Sequence, residues 1–287
     1  MADRPRVLLL GHTGKLGLAL QAAFGEGCEL RGRSRANGLD AGDFPALAAV
    51  LRSFCPDLVL NAAALNGLGP CERDPASALR LNALLPRFLA ESSRELGFTL
   101  VHFSSDAVFD GQAGGRAYLE SDPANPINVY GLTKFGGDCF VQSEARDYYI
   151  FRLSLMAGPC PHRTQFAERM VDAARAGLAL RVADDILCSP SYSVDIAQAV
   201  RAILERRPPA GLYHLANAGS ASLFRVVQEL LGNLGLAPPL QAVAHTEFPA
   251  QARKNLATPL RSEKLEPLRG WEAAFAAFCR APGPGAP

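Results

Sequence analysis

Tyr130 and Lys134 stand four residues apart in Asn128-Val129-Tyr130-Gly131-Leu132-Thr133-Lys134. On a helix, residues i and i+4 share a face, so phenol and ammonium would point into one space. A phenol titrates near ~10 and is a poor acid–base group at neutral pH. A neighbouring ammonium favours the phenolate and is expected to lower that value into a useful range. Such a pair could move a proton to or from an oxygen on a reacting carbon. Ser105, in Phe103-Ser104-Ser105-Asp106 after an apolar run, could orient that oxygen. Alone, each signal is weak: YxxxK recurs by chance, and one strand-end serine commonly satisfies nearby main chain.

A third feature tells what could be held beside them. Gly11-His12-Thr13-Gly14-Lys15-Leu16-Gly17 follows the first apolar run at once and opens a helical stretch. A strand–glycine loop–helix unit lets main chain approach a pyrophosphate, and the helix N-terminus offers free N–H groups to it. Gly11, Thr13, Gly14, Lys15, Leu16 and Gly17 are therefore expected to contact a dinucleotide. The spacing is GxxGxxG, so its position in the chain carries more weight than its pattern. The second strand runs into Arg31-Gly32-Arg33-Ser34-Arg35, with no acid until Asp40. Guanidinium forks suit a ribose 2′-phosphate, so NADP(H) is preferred over NAD(H), with Arg33 the principal reader. Asp40 and Ala41 are placed to meet the adenine. Asn61-Ala62-Ala63-Ala64 ends the third strand in small residues, against which a nicotinamide or ribose can lie.

Positioning these groups requires a parallel sheet. Val7–Leu10, Glu29-Leu30, Leu58–Leu60, Leu100–Phe103 and Tyr149–Leu153 read as strands. Lys15–Phe24, Phe44–Phe54, a long helix over Pro75–Leu96, and Tyr130–Glu144 read as helices between them. Short apolar strands alternating with helices predict a doubly wound α/β fold, Rossmann-like. After about residue 155 the rhythm changes, and Pro, Gly and Ser become frequent. Helices are expected at Gln165–Ala176, Val194–Arg206 and Leu223–Leu234, with strands at Leu180–Val182 and Leu212–Leu215. The division expected is 1–155 for the nucleotide, 156–280 mainly a smaller mixed substrate lobe with some segments returning to the sheet, and a frayed tail at 281–287.

Composition removes several alternatives. The 287 residues are 48% hydrophobic and 20% charged, and 29 Lys and Arg face 28 Asp and Glu. A net charge of +1 argues against nucleic acid held by bulk positive charge. No apolar run approaches the ~20 residues that span a bilayer. No signal peptide is evident, and seven scattered cysteines without a CxxC pair fit a reduced cytoplasmic protein. The five histidines, at 12, 102, 162, 214 and 245, form no metal-binding cluster. No heptad marks an oligomer seam, although a homodimer is possible.

Taken in order, Gly11/Gly14/Gly17, Asn61-Ala62-Ala63, Ser105, Tyr130 and Lys134 resemble the extended short-chain dehydrogenase/reductases, and more closely the dTDP-4-dehydrorhamnose reductase family. Ser104–Gly111 is similar to that family's S-T-D-Y-V-F-D-G, and Asn128–Lys134 to its N-V-Y-G-x-[ST]-K. Cys188-Ser189-Pro190-Ser191-Tyr192 is similar to its G-S-P-T-Y, and Gly211–His214 to its G-[IV]-Y-H. The resemblance spans roughly residues 5–270. It implies hydride transfer to the C4 ketone of a nucleotide-linked 4-keto-6-deoxy sugar. Tyr130 would be the proton donor, Lys134 its partner on the ribose, and Ser105 the carbonyl anchor. It also puts Asp106, Leu155 and Ser189 beside the sugar, with Asn66 and Leu68 flanking nicotinamide and sugar.

The sequence departs from the family in places that bear on the substrate. The family's Tyr after S-T-D is Ala107, and the Trp of its R-T-S-W is Leu155. Its acidic–basic pair after N-A-A-A is replaced by Leu65–Pro70, expected to be a flexible uncharged loop. A 4,6-dehydratase needs a second carboxylate where Ala107 stands. A 4-epimerase uses the same Ser, Tyr and Lys. A non-catalytic NADP-binding regulatory subunit, as of methionine adenosyltransferase, is the alternative from another class.

Overall fold

The computed structural model describes residues 4–160, 165–249 and 251–281. Pro161, His162 and the tail beyond Ala281 lie outside these, so the expected fraying there has no structural counterpart to weigh.

β1 (Arg6–Leu10) leads through the glycine loop into α1 (Lys15–Phe24), then β2 (Glu29–Arg33), α2 (Phe44–Phe54) and β3 (Leu58–Asn61). α3 (Leu68–Arg73), α4 (Pro75–Leu79) and α5 (Leu85–Leu96) precede β4 (Thr99–Ser105), α6 (Val129–Glu144) and β5 (Tyr148–Leu153). Then come β6 (Met156–Ala157), α7 (Phe166–Arg175), β7 (Leu180–Ala183), β8 (Leu187–Cys188), β9 (Ser191–Tyr192), α8 (Ser193–Arg206) and β10 (Gly211–His214). β11 (Ala221–Ser222), α9 (Leu223–Asn233), β12 (Leu240–Val243) and α10 (Trp271–Arg280) complete the chain.

Six strands make one sheet in the order β2-β1-β3-β4-β5-β10, every pairing parallel. Alternate residues of each strand enter opposite layers. Leu8, Leu10, Val59, Leu100 and Ile150 pack under α2 and α5. Val7, Leu9, Val101, Phe103 and Phe151 pack with residues of α1 and α8. The chain moves outward in opposite directions from β1 and β3, so a crevice opens beyond their C-terminal ends. The glycine loop and Ala62–Ala64 lie at that end.

Residues 156–280 serve two places. α8 packs on α1 and β10 forms the sheet edge against β5. The remainder builds its own cores, one around Trp271, Phe275 and Val226 and one around Val182, Val227 and Leu231.

Three expectations need correction. The second strand extends past Leu30 to Arg33, because it pairs residue by residue with all of β1. The long helix over 75–96 is interrupted by one π turn, Arg80–Leu84. Pro86 has no N–H for the Asn82 carbonyl, and the wider turn absorbs the missing bond. The expected flexible loop at Leu65–Pro70 closes at Leu68 into α3, started by Gly67 at φ 95°. α10 and β12 had no expected counterpart.

Candidate active site

The wall at the glycine loop is made of main chain. A Cβ on Gly17 would overlap the Gly11 carbonyl, so only glycine lets α1 start this close to the loop. Gly14 caps α1 in an extended conformation without a side chain on the first free N–H groups. The Gly11 N–H donates to the Arg33 carbonyl at 2.9 Å, tying the loop to the end of β2. These free N–H groups and the glycine-lined approach fit a dinucleotide pyrophosphate. Arg33 sits beside them, half-buried, its guanidinium 3.1 Å from the Gly32 carbonyl. Thr13 is half-buried in the loop, and Leu16 packs into the sheet core. Asp40 is exposed and receives the Gly42 N–H at 2.8 Å, with half-buried Ala41 between them.

Two expected cofactor side chains are engaged elsewhere. Lys15 is buried, paired with Glu168 of α7 at 2.8 Å and donating to the Met156 carbonyl at 2.8 Å. Its ammonium faces α7, leaving its main chain for an anion. Asn61 is buried, with its amide 3.3 Å from His102 Nδ1. Ala62 and Ala63, half-buried, are left at the strand end.

α6 is fixed at its first turn. Asn128 Oδ1 accepts the Gly131 N–H at 2.8 Å, while its amide donates to the Arg253 carbonyl and to Asn255 Oδ1. Glu72 of α3 accepts the Val129 N–H at 3.0 Å. A Cβ on Gly131 would overlap the Ala107 carbonyl, so glycine brings α6 against the turn after β4. Tyr130 and Ser105 thereby meet. Ser105 supports the ionised phenol by hydrogen bonding, but burial outweighs it, and Asp106 and Cys71 add to the upward shift. The phenol therefore titrates above its usual range. This corrects the expected lowering by Lys134, whose Nζ is turned to the Phe103 carbonyl at 2.5 Å. Lys134 is 2% exposed, and burial pulls it down to about 8 against the opposing pull of Asp138. A phenol held neutral is the form that donates a proton.

The carboxyl next to Ser105 is crowded with hydroxyls. Asp106 Oδ1 lies 3.0 Å from Ser105 Oγ, and Oδ2 accepts from Ser154 at 2.6 Å and Thr258 at 3.1 Å. Burial raises its pKa, offset in part by those three hydroxyls.

Tyr130, Ser105 and Asp106 border a cavity of about 520 Å3 between sheet and lobe. Leu68, Ala107 and Leu155 share its wall, with Arg169 of α7, Arg181 of β7 and Lys254. Arg181 is ion-paired with Glu247, and Lys254 lies over the Phe248 ring. Two expected substrate residues do not border it. Asn66 is exposed beside Gly67. Ser189 is fully buried, accepting the Leu260 N–H at 3.0 Å and donating to the Leu260 carbonyl, while its neighbour Cys188 reaches the cavity. Among the described residues, no group of His, Cys, Asp or Glu is arranged to hold a metal ion.

The family model described as RmlD substrate binding domain matches residues 5–280. The chain belongs to this family. The dTDP-4-dehydrorhamnose reductase of Escherichia coli strain K12 is 32% identical over 274 residues, covering 91% of this chain and 90% of its own. The solved dTDP-4-dehydrorhamnose reductase of Clostridium acetobutylicum superposes with a TM-score of 0.89 at 27% identity, over 95% of this chain and 98% of that one. That of Bacillus anthracis, in complex with NADP, has a TM-score of 0.90 at 25% identity, over 96% and 98%.

Four side chains of this RmlD-family site went unread in the sequence. Asn82, buried in the π turn, binds both main-chain groups of Leu65 and donates to Thr133 at 3.2 Å. Glu72 anchors α6. Asp138, buried one turn beyond Lys134, pairs with Arg152 of β5 at 3.0 Å. Two signals were available: an acid at i+4 from Lys134 on one helical face, and an arginine inside an otherwise apolar strand. Nothing in the sequence distinguishes Asn82 or Glu72 from solvated surface.

Proposed function

We propose that this chain reduces the C4 ketone of a nucleotide-linked 4-keto-6-deoxy sugar, with NADPH as reductant. Membership of a family whose relatives are named dTDP-4-dehydrorhamnose reductase supports this reading. The observation that carries it is Tyr130 beside Ser105 on one wall of a cavity, with Lys134 beneath them on the same helical face. Gly11, Gly14 and Gly17, the first turn of α1, and Ala62-Ala63 would hold the dinucleotide, and Arg33 its 2′-phosphate. When bound, the nicotinamide supplies the hydride.

Tyr130 gives its proton to the oxygen of the reduced carbon. Its raised pKa keeps it protonated until charge develops there. Ser105 holds that oxygen and stabilises its developing charge. Lys134 fixes the height of α6 over β4 through the Phe103 carbonyl and grips the ribose. Arg169 and Lys254 offer positive charge to a diphosphate, and Leu68, Asp106 and Leu155 flank the sugar. Residues 1–155 form the nucleotide half, with β10 and α8 added to it from the later chain. No described helix is long and apolar enough to cross a membrane, and the scattered cysteines without a CxxC pair support a reduced cytoplasmic setting.

The test mixes protein, NADPH and freshly made dTDP-4-dehydrorhamnose, a dTDP-4-keto-6-deoxy sugar, and follows loss of reduced-nicotinamide absorbance. Stoichiometric loss is expected, with Tyr130→Phe slower by about 10²–10⁴-fold. No loss, despite measured NADPH binding, would overturn the reading. Interconversion of sugars without net loss would point to epimerisation.

A further inference from the structure

We propose that Asp106 works as a neutral carboxylic acid whose hydrogen bond to Ser105 turns the serine hydroxyl toward the substrate carbonyl. The inference rests on the reductase reading and adds a positioning residue to it.

Ser105 has one proton and two claims on it. Its oxygen already accepts the Ala107 N–H at 3.2 Å and lies 3.0 Å from Asp106 Oδ1. An ionised carboxylate can only accept. It would take the serine proton and leave the substrate oxygen without that donor. A protonated Oδ1 reverses the bond: the acid donates to Ser105 Oγ, and the serine hydrogen is released to the cavity that both residues border.

The other oxygen shows where the acid proton belongs. Oδ2 receives the Ser154 and Thr258 hydroxyls at 2.6 and 3.1 Å. Ser154 Oγ is itself held by the Ser189 N–H at 3.1 Å, which directs its hydrogen to Asp106. With Oδ2 filled by donors, Oδ1 is the oxygen left to carry a proton.

Among the described residues the carboxyl makes no ion pair. Tyr130 from α6 and Cys188 from β8 act on it only as groups that ionise to anions. Lys134, also on α6, donates to the Phe103 carbonyl and makes no ion pair with Asp106. Arg169, Arg181 and Lys254 border the same cavity from α7, β7 and the C-terminal segment, without pairing to it. Burial pushes the carboxyl in the same direction. Turnover should therefore fall as pH rises through ionisation of Asp106.

The experiment compares kcat/KM against pH for wild type, Asp106→Asn and Asp106→Ala, using NADPH and dTDP-4-dehydrorhamnose. Asparagine keeps the shape and makes the donor permanent: its amide N–H replaces the acid O–H, and its carbonyl accepts from Ser154 and Thr258. Asp106→Asn should stay within about tenfold of wild type at neutral pH and lose the alkaline fall. Asp106→Ala should lose about 100-fold at neutral pH and show no alkaline fall from this carboxyl. An Asp106→Asn enzyme as inactive as Asp106→Ala, or one that keeps the wild-type alkaline limb, overturns the proposal. An infrared difference spectrum, wild type minus Asp106→Asn at neutral pH, reads protonation without turnover. The neutral-acid carbonyl band should be present, and its absence overturns the proposal even if the wild type proves inactive. An inactive wild type that shows the band counts against the reductase reading alone.

Discussion

The two walls of the cleft are built from different material. The nucleotide wall is main chain: a glycine loop, a helix N-terminus and alanines at a strand end, contributed by adjacent strands of one sheet. The opposite wall is side chains, drawn from α3, the turn after β4, α7, β7, β8 and the segment at 254–258. A main-chain wall tolerates changes in side-chain chemistry but not an added Cβ. A side-chain wall behaves in reverse, and its specificity can drift while the chemistry stays. Ala107 and Leu155, the family departures, both lie on that second wall.

The walls are joined by Lys15 and Glu168, an ion pair 2.8 Å long between residues 4% and 6% exposed. Removing one buried charge leaves the other uncompensated. Glu168→Gln should cost about 3–5 kcal/mol in urea unfolding, the largest stability effect expected here. A loss below about 1 kcal/mol would mean that the walls are held independently.

The sheet edge shared by both halves should limit acid stability. His214 of β10 is 2% exposed, with Nδ1 at 3.0 Å from the Tyr118 carbonyl and 3.2 Å from that of Arg261. Burial pulls it down to about 4, with Arg152 adding to the shift and Glu120 opposing it. Between about 4 and the ordinary 6.5 the unfolded chain binds the proton and the folded chain does not. Stability is therefore complete above that window and falls by about 3 kcal/mol as pH drops through it. Unfolding midpoints across this range should slope less in His214→Gln.

Effects confined to the nucleotide wall should be smaller in stability. Gly17→Ala places a Cβ against the Gly11 carbonyl. Overpacking of this kind costs about 1–3 kcal/mol, and NADPH titration should show weaker binding to match. Arg33→Ala removes one exposed-edge fork and should lower the preference for NADPH over NADH by about tenfold, with the melting temperature unchanged. Equal turnover of both cofactors by wild type would remove Arg33 from that wall.

The same division decides what could be read in advance. Strand–loop–helix order, the glycines and the Tyr130/Lys134 spacing are local features, each fixed by a few neighbouring residues. They marked out the sheet, the crevice beyond β1 and β3, and the helix that carries Tyr130 and Lys134. Ser189 and Asn66 do not border the cavity, and at Ser189 one residue of register decides which way the side chain points. Cys188 reaches the cavity and Ser189 is sealed against Leu260. The Lys15 ammonium turns away for another reason: its partner Glu168 lies far away in the chain, and nothing near Lys15 announces it. The phenol moved opposite to expectation because burial, a property of the whole fold, outweighed the Ser105 hydrogen bond, while the Lys134 ammonium is turned to the Phe103 carbonyl.

What the sequence determined by itself is therefore the set of interactions that repeat every two or four residues or close within one turn: the alternating layers, the helix starts and the pyrophosphate loop. Only the tertiary structure decided which buried polar groups face each other across segments: Asp138 with Arg152, Asn82 with Leu65, and Asp106 with Ser154 and Thr258. The physical reason is distance along the chain. Short-range geometry is set by backbone stereochemistry, whereas the desolvation and pairing of a buried polar group depend on what the completed fold places against it.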